Sequence, residues 1–266
     1  GTTTLTAGTL RAQTNAAALG TGTLTLNGGT LQLASDTATT FGRNTTVGGA
    51  VTIESDRVAA GAGVTHTLGT LALGANTLTV NTDATVTSGT AGLTFGATTT
   101  GGATLNSGAS VLTTLGTVTG TGLALTVGGA GNTTLSAGLN TAAGGTLIKN
   151  GTGTLTLAAA GDYDGATTVN AGVVDVQNNT GLGTTAGATT VARGAAVQVD
   201  GSGLTIAELI TLNGDGVSSG GALRNLANAN SWTGAITLGS ASRINADAGT
   251  LTIATGGITG SGLNLT

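Results

Sequence analysis

The chain has 266 residues, with 50 Gly, no Pro, no Cys, no Met and a formal charge of −4. Charged residues make up 7% and aromatics 2%, where an ordinary soluble domain carries roughly 25% charged residues; a core of large side chains and a basic nucleic-acid surface are both excluded. No apolar run approaches the roughly 18 to 20 residues of a membrane-spanning helix, and the absence of Cys removes disulfides, thiolate nucleophiles and Cys-ligated zinc together.

Disorder fits poorly with low net charge and abundant β-branched residues, and collagen would need Gly at every third position with plentiful Pro. Average usage predicts about 13 prolines in this length. Proline cannot donate to a β-ladder, so a chain built almost wholly from interior strands would exclude it.

Taken in chain order, the predicted elements are short strands. Gly1 opens directly into a strand-like run, as expected of a fragment rather than a natural start. Leu24-Thr25-Leu26, Leu31-Gln32-Leu33, Val51-Thr52-Ile53, Leu71-Ala72-Leu73, Leu78-Thr79-Val80, Leu155-Thr156-Leu157, Val197-Gln198-Val199 and Leu251-Thr252-Ile253 all alternate. A period of two places Leu, Val and Ile on one face and small or polar residues on the other. Gly, Asn, Asp and Ser bound each run, as turns demand. Only Ala16-Ala17-Ala18-Leu19 and Ile206-Ala207-Glu208-Leu209-Ile210 offer a single helical turn each.

Short strands at close spacing fit a sandwich, a barrel or a solenoid; internal repetition favours the solenoid. Gly116–Thr126 (GTVTGTGLALT) matches Gly256–Thr266 (GGITGSGLNLT). Gly1–Gln13 matches Gly165–Gln177, continuing through Leu19-Gly20 against Leu182-Gly183 and Leu31-Gln32-Leu33 against Val197-Gln198-Val199. The two registers differ, so the repeat tolerates insertions. Three strands of about five residues plus turns give about a dozen coils and a rod near 60 Å long. The whole of 1–266 reads as one all-β solenoid, with a second repeat copy starting near residue 147.

Residues 147–176 read LIKNGTGTLTLAAAGDYDGATTVNAGVVDV. Leu147, Lys149, Gly151, Gly153, Thr154, Leu155, Thr156 and Leu157, followed by Tyr163, Gly165, Thr167, Val169, Gly172 and Val174, resemble the autotransporter-associated β-strand repeat. That repeat occurs in autotransporter passengers and related giant bacterial surface proteins. Family members carry Asn before the turn Tyr where this chain has Asp162. The resemblance implies a right-handed parallel β-helix, secretion to the cell surface, a translocator in the outer membrane as partner, and no enzymatic activity. The expected role is a noncatalytic stalk or adhesin scaffold that self-associates end to end, without cofactor, metal site or catalytic residues.

The chemistry-bearing residues are few. His66 is the only histidine; with no G-x-S-x-G elbow to serve, it reads as an outward residue beside Thr65 and Thr67. Asp162-Tyr163-Asp164-Gly165 has the opening of a calcium loop but lacks the later ligands and distal Glu, and reads as a turn. Glu54, Asp56 and Arg57 read as a surface ion-pair cluster; in a polysaccharide-active β-helix they would be the nearest acid–base grouping. Tyr163 and Trp232 are too few for an aromatic sugar platform. Lys149 follows no phosphate-loop glycines. The T-x-T copies Thr4–Thr6, Thr23–Thr25, Thr77–Thr79, Thr154–Thr156 and Thr250–Thr252 supply an alternative: stacked on one flat side, they would form an ice- or polymer-binding face. Outward Thr is also simply favoured in uncharged strands.

Overall fold

A computed structural model describes residues 1–266. Every one of the eight alternating runs forms a strand or lies within one. All strand pairings are parallel, and partners lie one coil apart in sequence. The strands of the longest sheet begin at Thr9, Thr30, Val51, Thr77 and Thr104, steps of 21, 21, 26 and 27 residues. That sheet holds 12 strands, one per coil. The fold is a β-solenoid of about 12 coils, as the repetition predicts.

Around this 12-stranded sheet lie a 7-stranded sheet from Thr3–Leu5 to Leu139–Asn140, a 9-stranded sheet from Thr65–Thr67 to Ile244–Ala246, and a 3-stranded sheet of Thr205–Ile206, Ala229–Trp232 and Thr250–Ile253. A two-stranded ribbon pairs Gly61–Ala62 with Val86–Ser88. The coils are therefore not uniformly three-stranded. From Thr65 to Asn140 three sheets surround the core, whereas the coils before Thr65, and those between Asn140 and Thr205, have two strands and a loop on the remaining side. A buried side chain fills each such side: Leu19 and Phe41 in the early coils, Tyr163 and Leu182 in the later ones. Phe41 donates its backbone N–H to Thr67 and meets His66 edge-to-face at 5.7 Å, just where the 9-stranded sheet begins. Large side chains stand where the third side changes from loop to strand.

The internal repeats take on a geometric meaning here. Thr3–Leu5 and Thr9–Gln13 lie in the 7- and 12-stranded sheets, but their sequence counterparts Thr167–Val169 and Val173–Val176 lie in the 12- and 9-stranded sheets. Val118–Thr119 and Ala124–Gly129 are shifted in the same sense relative to Ile258–Thr259 and the last residues, where Ile244 of the 9-stranded sheet donates its N–H to Thr266. The two copies are rotated by one side of the rod. The repeating module is one corner, strand–turn–strand, which fits either adjacent pair of sheets.

The two short helical candidates do not form helices. Ala16–Leu19 makes a turn capped by Asn15, whose Oδ1 accepts the Ala17 N–H at 2.8 Å, and it tucks Leu19 inward. Ile206 and Ile210 instead belong to two different sheets, and both point into the core. Burial of two apolar anchors on different sides overrides weak helix propensity.

Side chains stack in columns. Leu78, Leu105 and Val127 form one inward column, continued after Lys149 by Val169, Val191, Leu212 and Leu238. The coils approach so closely that some turns exclude any side chain: a Cβ on Gly153 would stand 1.8 Å from the Gly131 carbonyl oxygen. Gly153→Ala is expected to cost about 2 kcal/mol or more. Gly96→Ala, whose Cβ would meet nothing nearer than 3.5 Å, should cost well under that. Urea midpoints of the two variants, compared with the parent chain, check the contrast.

Candidate functional site

His66 is not an outward residue. It is fully buried, because its strand is the first of the 9-stranded sheet and its register partner is inward Leu93. Its Nε2 donates to the Asp56 carbonyl oxygen at 2.9 Å. A carbonyl can only accept, so the proton sits on Nε2. Nδ1 is buried without a partner, and burial holds the ring's pKa below its ordinary value. No hydroxyl or carboxylate side chain reaches it: the adjacent Ser55 hydroxyl donates to the Gly92 carbonyl at 2.7 Å.

The grouping of Glu54, Asp56 and Arg57 does not form a surface cluster, since the alternation of its strand stops after Ser55 and Asp56 is buried at the strand end. Glu54 accepts from Gln32 at 2.7 Å on the outer face. Arg57 pairs with Asp36 at 3.5 Å and donates to the Ala59 and Ala62 carbonyls. Asp56 is wholly buried; its Oδ1 accepts the Asp83 N–H at 2.7 Å, while Oδ2 has no partner. Desolvation pushes its pKa up to about 6.

Asp162 and Asp164 act at a turn, as the sequence suggests, but across coils. Their Oδ1 atoms accept the backbone N–H groups of Ala142 and Gly144 in the coil before. Tyr163 between them is fully buried and bonds the Thr167 hydroxyl at 2.7 Å. Trp232 is equally buried and donates Nε1–H to the Glu208 carbonyl at 2.9 Å. Neither ring is available to stack on a ligand.

Sequence reasoning missed two buried acids. The Glu208 carboxyl receives the Thr189 hydroxyl at 3.0 Å, and burial pushes its pKa up to about 7. Asp175 accepts from Gln177 at 2.9 Å and is pushed up to about 6 by burial and by the neighbouring Asp200 charge. The available signal was Asp175 inside an otherwise apolar run, Val173-Val174-Asp175-Val176.

The T-x-T copies lie on four different sheets. Thr4–Thr6 and Thr23–Thr25 belong to the 7-stranded sheet, Thr77–Thr79 to the 12-stranded, Thr154–Thr156 to the 9-stranded and Thr250–Thr252 to the 3-stranded. Single Thr columns do form: Thr67, Thr94, Thr114, Thr134 and Thr156 stack in register on one side. Thr4, Thr25 and Thr46 stack on another, and Thr168, Thr190, Thr211, Thr237 and Thr259 on a third. A residue repeated on every side marks a strand-forming preference more than a dedicated face.

The one groove, of about 330 Å³, is lined by Arg193, Asp215, Ser242 and Asn264 among others. Its Ser242 hydroxyl and Asp215 carboxylate are committed: Ser242 donates to the Leu212 carbonyl at 3.0 Å, and Asp215 accepts from Ser219. The buried polar groups are spread along the rod, bonding within a coil or to the next one, and they share no convergent point.

Residues 147–176 match the family model described as passenger-associated-transport-repeat, an autotransporter passenger repeat, at the stretch where Lys149, Tyr163 and Gly172 lie. No curated protein and no solved structure matches the chain.

The buried ionisable groups set an unusual pH dependence. Asp56, Asp175 and Glu208 hold a proton more tightly folded than unfolded, so each stabilises the rod below its unfolded value of 3.8 or 4.5, a gain lost as pH rises to about 6 or 7. His66 opposes them below its unfolded value of 6.5, one group against three. Asp36, Asp215 and Asp247, held low by the Ala59 N–H, the Ser219 hydroxyl and Arg224 respectively, act only below 3.8. Lys149, pulled from 10.5 down to about 8 by burial, adds stability again above pH 8. The thermal midpoint is therefore expected to fall from pH 5 to about 8 and recover towards 10, with Glu208→Gln flattening the upper part of the descent. A midpoint that rises steadily from pH 5 to 8 would contradict this.

Proposed function

We propose that this chain is a noncatalytic stalk segment of a bacterial autotransporter-type passenger, displayed at the outer cell surface. The observation carrying this reading is the uninterrupted parallel stack with the passenger repeat match inside it. Many of its ionisable side chains join one coil to the next, which supports a scaffold rather than an enzyme. A translocating barrel elsewhere in the parent protein is the partner this role requires.

The same features suit transit as an extended chain. No disulfide can form before export, because there is no Cys. Each coil needs only its neighbour to fold against, so assembly proceeds coil by coil once the chain emerges. The rod reads as one stretch of a longer stacked array with an adhesive role, its ligand carried on loops or neighbouring segments. End-to-end association is part of the proposal: Ile258, in register with buried Ile236, and Leu265 are exposed on the last coil. A further coil or a second copy would cover them.

Intact cells of the source organism test the assignment. Protease added outside should cleave the segment, and an antibody against it should label unpermeabilised cells. Recovery of the protein only from the cytoplasmic fraction would defeat the reading. For association, light scattering on the isolated segment should show mass rising with concentration, and Leu265→Lys should abolish that rise.

A further inference from the structure

Lys149 is the only lysine in the chain, and it sits where an apolar residue belongs. Val127 precedes it and Val169 follows it in the same inward column, and it is 1% exposed. A lysine on such a face normally carries its charge out to water. This one turns back at the end of its strand. Its Nζ donates to the Asn150 carbonyl at 2.7 Å, the Gly151 carbonyl at 2.8 Å and the Ala171 carbonyl at 3.2 Å.

An ammonium has three N–H donors, and all three are used. Two acceptors belong to its own turn and the third to the turn of the next coil, so one cation spans the boundary between coils. No carboxylate takes part; the chain's two ion pairs, Arg57–Asp36 and Arg224–Asp247, lie elsewhere. Gly172, at φ 69, would place a Cβ 2.4 and 2.6 Å from the Gly153 and Gly151 carbonyl oxygens and 2.9 Å from Nζ, so the carbonyls and the ammonium together leave no room for a side chain.

We propose that the turn carbonyls of Asn150, Gly151 and Ala171 form an alkylammonium-binding nest whose resident ligand is the Lys149 side chain, and that this clamp fixes the register of the two coils it joins. The proposal is independent of where the rod is displayed. Burial lowers the Lys149 pKa to about 8, so at neutral pH the group is charged with all three donors in place, and the neutral amine formed at higher pH still offers two. The lost alternative is apolar: a Met in the same column would pack against Val127 and Val169 but leave three half-buried turn carbonyls without that donor.

Two experiments test it on the full chain. In the first, an amine-acetylating reagent acts on the unaltered protein, whose amines are the Gly1 terminus and Lys149. The terminus should react freely, while Lys149 reacts about a hundredfold more slowly than in urea-unfolded chain, since it is exposed only on local opening. Similar rates in the folded and unfolded chain would overturn the proposal, and this measurement needs no variant. In the second, Lys149→Ala lowers the urea midpoint, and n-propylammonium chloride, which restores the missing carbons and nitrogen, recovers part of the loss. Tetramethylammonium chloride, with no N–H, should not, and Lys149→Met should be weaker than the parent and indifferent to both salts. Equal responses of Lys149→Ala to the two salts, or a Lys149→Met variant as stable as the parent, would also overturn it.

Discussion

The structure depends on one constraint: in a parallel stack, each strand's backbone N–H and C=O groups are satisfied by the coils above and below, at a spacing of about 4.8 Å. A coil must therefore retrace its neighbour's path closely. The chain makes 150 backbone–backbone hydrogen bonds, and most of those outside the regular ladders, such as Asn27 N–H to Leu5 and Gly153 N–H to Gly129, again run from coil to coil. The same constraint explains the composition. Close approach demands Gly at the corners, a missing N–H would open a ladder and so removes Pro, and an interior only two side chains wide has little room for aromatics.

Most polar side chains in this interior find a partner in their own coil or in a neighbouring one. Thr167 and Thr189 stack in register, one bonded to Tyr163 and the other to Glu208. Ser107 joins the Thr113 and Thr133 hydroxyls at 2.8 and 3.0 Å. Such pairs contribute modestly when made but are costly to break, so they select one register among the many that a run of near-identical Thr and Leu would allow. This gives the irregular residues of a monotonous chain a physical task. They index the coils.

Much of the fold was legible in the sequence because a period of two is a direct consequence of strand geometry; Leu155-Thr156-Leu157 could point only one way. The number of coils followed from turn spacing. The third side of each coil was not legible, because whether it is a strand or a loop depends on which neighbour it rests upon. Leu19 and Leu182 announce themselves as a repeated pair, yet nothing local says that each fills a side lacking a strand. Charged and titratable residues were the least readable. His66 lies between two threonines, as an outward residue would, and faces inward because the alternation of its strand is set by Leu93 in the next coil. Asp56 follows Ser55 at a strand end where the outward sequence pattern stops. Lys149 was visible as a motif residue, while its contact with Ala171, 22 positions away, was not.

The direction of the ladders carries a mechanical consequence. Hydrogen bonds between coils lie along the rod, so tension applied at its ends loads successive coil boundaries in series, each boundary sharing the force among all its bonds. A coil occupies about 4.8 Å of rod yet releases roughly 70 Å of chain when a step of about 21 residues is drawn straight. Drawn out coil by coil, a rod of this geometry would lengthen more than tenfold, its reach set by the force upon it.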